Sequence, residues 1–508
     1  MKTFHYWILF ASCASGWLIL SLLIAPSLSG ADAFIFRDPG WNLAASGSFE
    51  SAAGPYSHDL IPRFYAYYTP VVPLLFAGYA YVFPRNAYAG TFFNLLTGLS
   101  VAAVAFWWVL RQPAGKLRNT VAGTIAVLAP AFIIYDRPEN IALILFSAAL
   151  ALGVKPGPRP VVAGMLIVLT FLAHPFAAIV VALWTSALYL SHEWNRPGRW
   201  LRIFAQFATM AVTVVIALGT VALLYYLIDH NSLARFTANA FDPESGVGVT
   251  LSMTSVKEFV NVLRATIFGI PLTLPAIYSL SFLSCCLLAA WAVFYRKALG
   301  HVEWLAIAAG LTSMFLAVIL VPYQVAYVEF VAFSIPVGFL ILSQPGAQLA
   351  KPALVMLILA ILMELPSLGI GLIARIEQKP SFLAARQQPA FLRASIASPD
   401  PVVVLVGDFY DLFKPEFHRM VELDYLEEDV NHFADVAAVV RCYHPYHGES
   451  GAVAPFPTEL NASEFHLMQS APQHLWITLF GHKVMRGQWG YGCDLYVRNQ
   501  APSNISPP

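Results

Sequence analysis

The sequence predicts a polytopic α-helical membrane protein of about eleven spans, closed by a small α/β domain. Three observations predict it. The 508-residue chain is 58% hydrophobic and only 11% charged, whereas soluble domains carry roughly 25% charged residues. Apolar runs approaching the ~20 residues that cross a bilayer recur from residue 4 to about residue 374. Beyond that point the pattern changes to short Val-rich runs between Gly-containing turns, so the expected boundary separates a membrane part, 1–374, from an extracytoplasmic domain, 375–508.

The first apolar run, 4–25, follows Lys2 and is longer than the 7–15-residue core of a cleaved signal, so it reads as a retained helix. A large loop, 26–86, comes next. Its segment 65–83 is apolar but carries Pro70 and Pro73 and several tyrosines, and reads as a re-entrant or surface-lying helix. The remaining spans are expected at 87–110, 119–135, 140–154, 160–173, 175–191, 203–228, 268–294, 302–321, 324–343 and 352–374. With the N-terminus inside, this arrangement places every basic cluster in the cytoplasm: Arg111/Lys116/Arg118, Lys155/Arg159, Arg196/Arg199/Arg202, Arg296/Lys297 and Lys351. Trp107, Trp108, Tyr225, Tyr226, Trp304, Tyr323 and Tyr327 fall near span ends, as an interfacial aromatic belt would.

In the tail, Pro401–Val406, Val436–Val440 and Leu475–Leu479 read as strands, with late turns around Gly481, Gly487 and Gly490. Of the five cysteines, Cys13, Cys285 and Cys286 lie in apolar runs. Cys442 and Cys493 are the two in the tail, and a disulfide between them is one of the options if the tail is extracytoplasmic. The zero net charge gives no reason to expect a nucleic-acid partner.

The outer side collects the residues able to do chemistry. Asp38, between Arg37 and Pro39 shortly after the first span, suits a helix N-cap with proline at N1, and also a carboxylate facing a cavity. Asp136, Arg137 and Glu139 sit in a short turn between two spans, where charge is expensive unless it is solvated or functional. His174-Pro175 joins the tightest hairpin, and a histidine there is either a turn residue or a ligand. Arg63 in the first loop, and Arg235 and Arg264 in the loop 229–267, are further outer-face cations. There is no P-loop, GxGxxG turn, HExxH helix or GxSxG elbow, so no nucleotide- or zinc-dependent class is indicated.

These residues resemble the C-type (GT-C) glycosyltransferases that use polyprenyl-phosphate sugars, which include the protein mannosyltransferases, the aminoarabinose transferases and the RgtA/B/C/D-like group. The resemblance lies in an acidic residue in the first outer loop (Arg37-Asp38-Pro39-Gly40-Trp41-Asn42), an aromatic/proline element (Tyr67-Tyr68-Thr69-Pro70-Val71-Val72-Pro73-Leu74), a second acidic position (Arg137-Pro138-Glu139) and Pro322-Tyr323. It covers roughly residues 1–345. The first motif departs from the family's Asp-Glu pair, and the proline pair is split by two valines. The resemblance implies inverting transfer of a sugar from a polyprenyl-phosphate donor to a lipid, glycan or protein acceptor, with Asp38 as general base. It also implies Arg63, Arg137, Arg235, Arg264 and His174 as candidates to bind the lipid phosphate, Tyr67 and Tyr68 to line the sugar or lipid path, and Asp136 and Glu139 to position the acceptor. No particular cofactor is indicated, and a divalent metal on Asp38, Asp136 and Glu139 is an open option. The expected setting is a bacterial inner membrane, with membrane lipids as surroundings and the tail in the periplasm. A transporter or flippase of lipid-linked glycans, and another outer-face transferase such as a glycan ligase, are the alternatives.

Overall fold

The computed structural model describes residues 3–27, 32–51, 63–65, 70–133, 137–155, 157–234, 236, 291, 294, 299–320, 325–342, 349–406, 409–422, 435–442, 456–457, 460–470, 476–479, 482–486 and 493–499. The chain is mostly helical, with a small sheet domain. The helices are α1 (Thr3–Leu23), α2 (Asp32–Ser46), α3 (Val71–Val82), α4 (Ala89–Leu110), α5 (Lys116–Val127), α6 (Glu139–Ala148), α7 (Pro160–Ala173), α8 (Pro175–Glu193), α9 (Arg199–Ile228), α10 (His301–Leu320), α11 (Val325–Leu342), α12 (Ala350–Glu377), α13 (Lys379–Ala385), α14 (Gln388–Ala394) and α15 (Tyr410–Phe413). A helix therefore stands at each expected span except 268–294, where only Trp291 and Phe294 are among the described residues. By length and composition, α1, α4, α8 and α9 can each cross a membrane on their own. Helix α3 has 12 residues. It reaches about 18 Å at 1.5 Å per residue, short of a ~30 Å hydrocarbon layer.

The contacts divide the chain into two compact units. The first comprises 1–18, 66–72 and 94–368, and the second 19–65, 73–93 and 369–508. In the first, aromatic side chains fill the helix–helix space. Trp184 of α8 is fully buried, meets Phe146 edge-on at 5.5 Å, and donates to Ser313 Oγ at 3.2 Å. Gly338 of α11 lets that indole approach, since a Cβ there would lie 2.7 Å from its ring. Beyond α6 the chain widens into a π-helical turn, Ala149–Val154, and the Tyr189 hydroxyl donates to the Gly153 carbonyl at 2.9 Å. Helix α9 buries only Ile203, Met210 and Tyr225 among its described side chains, leaving a broad apolar surface of the kind lipid covers.

The second unit contains α2, a two-stranded ribbon of β1 (Glu50–Ser51) and β2 (Arg63–Phe64), α3, and the C-terminal domain. That domain holds a five-stranded sheet ordered β4-β3-β5-β9-β6, built from β3 (Val402–Val406), β4 (Arg419–Glu422), β5 (Val436–Cys442), β6 (Phe465–Gln469) and β9 (Cys493–Arg498). Strand β3 runs parallel to β4 and β5, and β9 antiparallel to β5 and β6. Every residue of β3 is buried, as its unbroken Val/Leu run requires of a strand covered on both faces. Strands β7 (Trp476–Leu479) and β8 (His482–Arg486) form a separate hairpin. Cys442 and Cys493 are direct cross-strand partners on β5 and β9 and are joined by a disulfide.

Candidate active site

Asp38 lies inside α2, seven residues into the helix, with Pro39 continuing it. This corrects the N-cap reading: the helix starts at Asp32. The missing proline N–H costs one backbone bond, and the helix tolerates it because tertiary contacts fix this stretch. Trp41, 2% exposed, packs on Phe76 of α3 with ring centroids 5.6 Å apart. Gly40 allows the close approach, since a Cβ there would sit 2.5 Å from the Pro73 carbonyl oxygen.

The Asp38 carboxylate is buried and receives four donors. Tyr410 Oη donates to Oδ1 at 2.7 Å, and Lys414 Nζ pairs with the same oxygen at 2.6 Å. Ser51 Oγ donates to Oδ2 at 2.6 Å, and Asn42 Nδ2, one helical turn along, at 3.3 Å. Asn42 also donates to the Glu50 carbonyl at 2.7 Å, tying α2 to the ribbon. Beside it Arg37 pairs with Asp411 at 2.9 Å, both buried. The adjacent residues Arg37-Asp38 thus meet Tyr410-Asp411 and Lys414 in two crossed ion pairs whose formal charges cancel. Gly90 makes room for this, because a Cβ there would run into the Arg37 guanidinium and the Asp411 carboxylate. Burial pushes the Tyr410 phenol well above its ordinary value, and the adjacent Asp38 charge and hydrogen bond add to the rise. Burial, with Asp411 as a second cause, pushes Tyr79 of α3 up to about 12.

The first unit brings together a second group. His174 caps α8: its Nδ1 accepts the Ala177 N–H at 3.1 Å, leaving Nε2 to face Glu139 Oε1 at 3.4 Å. A ring nitrogen that accepts a backbone N–H carries no proton, so the proton of the neutral ring sits on Nε2, directed at the carboxylate. Glu139 opens α6, where a helix N-terminus favours negative charge, and Arg137 is within electrostatic reach of it. Glu329 and Glu364 complete this group. Glu329 lies within reach of Glu364, Glu139 and Arg137. Sequence reasoning passed over both, although the signal was present: Glu329 is the one carboxylate of the apolar α11, and Glu364 stands in the middle of α12.

Of the other expected site residues, Arg63 is the cross-strand register partner of Ser51. Asp136, Tyr67, Tyr68, Arg235 and Arg264 lie outside the described residues. Tyr410, Asp411 and Lys414 gave no local signal, since they meet Arg37 and Asp38 only across more than 370 positions of chain. Asp38 does not fit a metal here, because the cation at its Oδ1 is Lys414. Among the described residues no group of three or more His, Cys, Asp or Glu side chains is arranged to hold one.

No protein-family profile matches the chain, and no curated protein matches it at a significant level. Solved structures of the oligosaccharyltransferase of Archaeoglobus fulgidus are similar to it. The form tethered by a disulfide to an acceptor peptide containing the NVT sequon is 13% identical, with 86% of this chain and 69% of that chain covered, at a TM-score of 0.46. The apo form is 13% identical over 86% and 70%, at 0.41. The complex with an inhibitory peptide and a dolichol-phosphate is 11% identical over 86% and 69%, also at 0.41. These scores are too shallow to fix the fold.

Proposed function

We propose that the chain is a membrane-embedded GT-C-type glycosyltransferase that moves a sugar from a polyprenyl-phosphate donor to a hydroxyl or amide acceptor at the outer membrane face. The observation that carries this reading is the convergence on Asp38 of donors from the loop after the first span and from the C-terminal domain. Every described neighbour of the two Asp38 oxygens is a donor, so the side chain acts as a hydrogen-bond acceptor, the role a base takes toward an incoming O–H. In the step proposed, an acceptor O–H displaces the Tyr410 hydroxyl and gives its proton to Asp38. The acceptor oxygen then forms a bond to the sugar C1 as the C1–O bond to the lipid phosphate breaks, and the electron pair leaves on the phosphate. Lys414, and Arg63 by its register opposite Ser51, are the cations of this unit assigned to the departing phosphate. The Cys442–Cys493 disulfide supports an extracytoplasmic tail, since such bonds persist in oxidising compartments.

The test is transfer from a radiolabelled polyprenyl-phosphate sugar by the purified full-length protein, offered lipid, oligosaccharide and Asn-X-Thr peptide acceptors. Asp38→Asn should lower turnover by at least a hundredfold while Tyr410→Phe stays within a few-fold of wild type. Equal turnover by wild type and Asp38→Asn would remove Asp38 from the chemistry. Glu329 and Glu364, placed inside apolar helices, favour a flippase as the second reading. A wild-type protein that flips a lipid-linked glycan in proteoliposomes and stalls as Glu364→Gln, with no transfer to any acceptor, would establish it.

A further inference from the structure

A second feature of the C-terminal unit lies apart from the Asp38 network. A cleft of about 390 Å³ opens beside the end of α1, with Leu22, Tyr88, Phe382 and Leu412 among its apolar walls and Arg85, Asn86, Arg386 and Glu416 as its polar groups. The neighbouring cations are already committed. Lys379 Nζ donates to Tyr88 Oη at 2.8 Å and to the Ile24 carbonyl at 3.3 Å, and Arg375 Nε donates to the Ala25 carbonyl at 2.7 Å, so both satisfy carbonyls just past α1. Arg85 and Arg386 are exposed and, among the described residues, make no side-chain hydrogen bond or ion pair.

The surroundings say where this cleft sits. Leu22 closes a helix long and apolar enough to cross a membrane. Arg85 follows Tyr81, Val82 and Phe83, all exposed, with Tyr81 at 83%. Leu383 and Phe391, beside cleft residues on α13 and α14, are exposed as well. Apolar side chains left uncovered next to unpaired guanidiniums at a span end match the boundary between acyl chains and headgroups.

We propose that this cleft binds the phosphodiester headgroup of a membrane glycerophospholipid. Arg85 and Arg386 hold the phosphate oxygens through planar guanidinium forks, and Leu22, Phe382 and Leu412 receive the glycerol and the first acyl carbons. Glu416 leaves the cleft one net positive charge, matched to one phosphodiester. A charge and an apolar wall together select an amphiphile over a free ion or an uncharged lipid.

The test uses full-length protein in detergent and native mass spectrometry to count bound lipid during titration with dioleoyl phosphatidylglycerol. One adduct should saturate first. It should weaken tenfold or more in Arg85→Gln/Arg386→Gln, stay unchanged in Arg111→Gln, be absent with dioleoylglycerol, and resist 10 mM inorganic phosphate. Both arginines are exposed and uncommitted, so the double variant should fold, and matching thermal unfolding checks that it does. Each single variant should lie between wild type and the double. An unchanged first adduct in the folded double variant would overturn the proposal, as would equal binding of dioleoylglycerol or displacement by phosphate in proportion to its concentration. The readout involves no transfer activity, so it stands or fails independently of Asp38 chemistry.

Discussion

Replacing Lys414 by methionine tests the crossed ion pairs directly. Methionine keeps most of the side-chain volume and removes the charge that sits 2.6 Å from Asp38 Oδ1. What remains is a buried carboxylate with three neutral donors, Tyr410, Ser51 and Asn42. Removing one partner of a buried pair costs about 3–5 kcal/mol, and the three surviving hydrogen bonds place this case near the lower end. About 3 kcal/mol corresponds to roughly a hundredfold rise in local opening. Hydrogen–deuterium exchange at the amides of α2 and of residues 410–414 should therefore accelerate about that much in Lys414→Met. The double variant Lys414→Met/Asp38→Asn should recover most of the loss, because it no longer strands a charge. Exchange in Lys414→Met equal to wild type, or losses in the double variant that simply add, would refute this reasoning. The pair would then be worth no more than an exposed salt bridge, about 0–1 kcal/mol.

Removing the disulfide as Cys442→Ala/Cys493→Ala, across a separation of 51 residues, should cost about 4 kcal/mol on the chain-entropy account, seen as faster proteolysis within 401–499. Gly40→Ala should destabilise the α2–α3 packing, because the new Cβ meets backbone at Pro73 that cannot swing aside. Limited proteolysis after residue 46 would report it, and a digestion rate equal to wild type would count against that packing. The phenols of Tyr410 and Tyr79 titrate higher in the folded protein than the ordinary ~10 of an unfolded chain. Their stabilising effect is thus complete below pH ~10 and is lost as pH rises through the folded value, about 12 for Tyr79. Absorbance at 295 nm should show late-titrating tyrosines, one fewer in each of Tyr79→Phe and Tyr410→Phe.

The sequence by itself determined the long apolar helices and three of the described strands, β3, β5 and β7. Apolar runs fix helices over 89–110, 160–173 and 199–228 because a helix satisfies its own backbone wherever water is absent. The Val-rich run at 402–406 fixes a doubly covered strand. Local patterning also singled out Asp38, Glu139 and His174 as costly polar groups in apolar surroundings. Their partners were decided only by the tertiary structure. No local rule connects Asp38 with Lys414, and the N-cap expectation failed because packing of Trp41 and Gly40 on α3 carries α2 back to Asp32, past a proline that locally signals a start. The pairing of Cys442 with Cys493 likewise follows from strand register, which is set where β5 and β9 meet and not by either segment alone. Period and composition act over a few residues and are legible in order along the chain, whereas the neutralisation of a buried charge is a long-range condition that only the folded chain can meet.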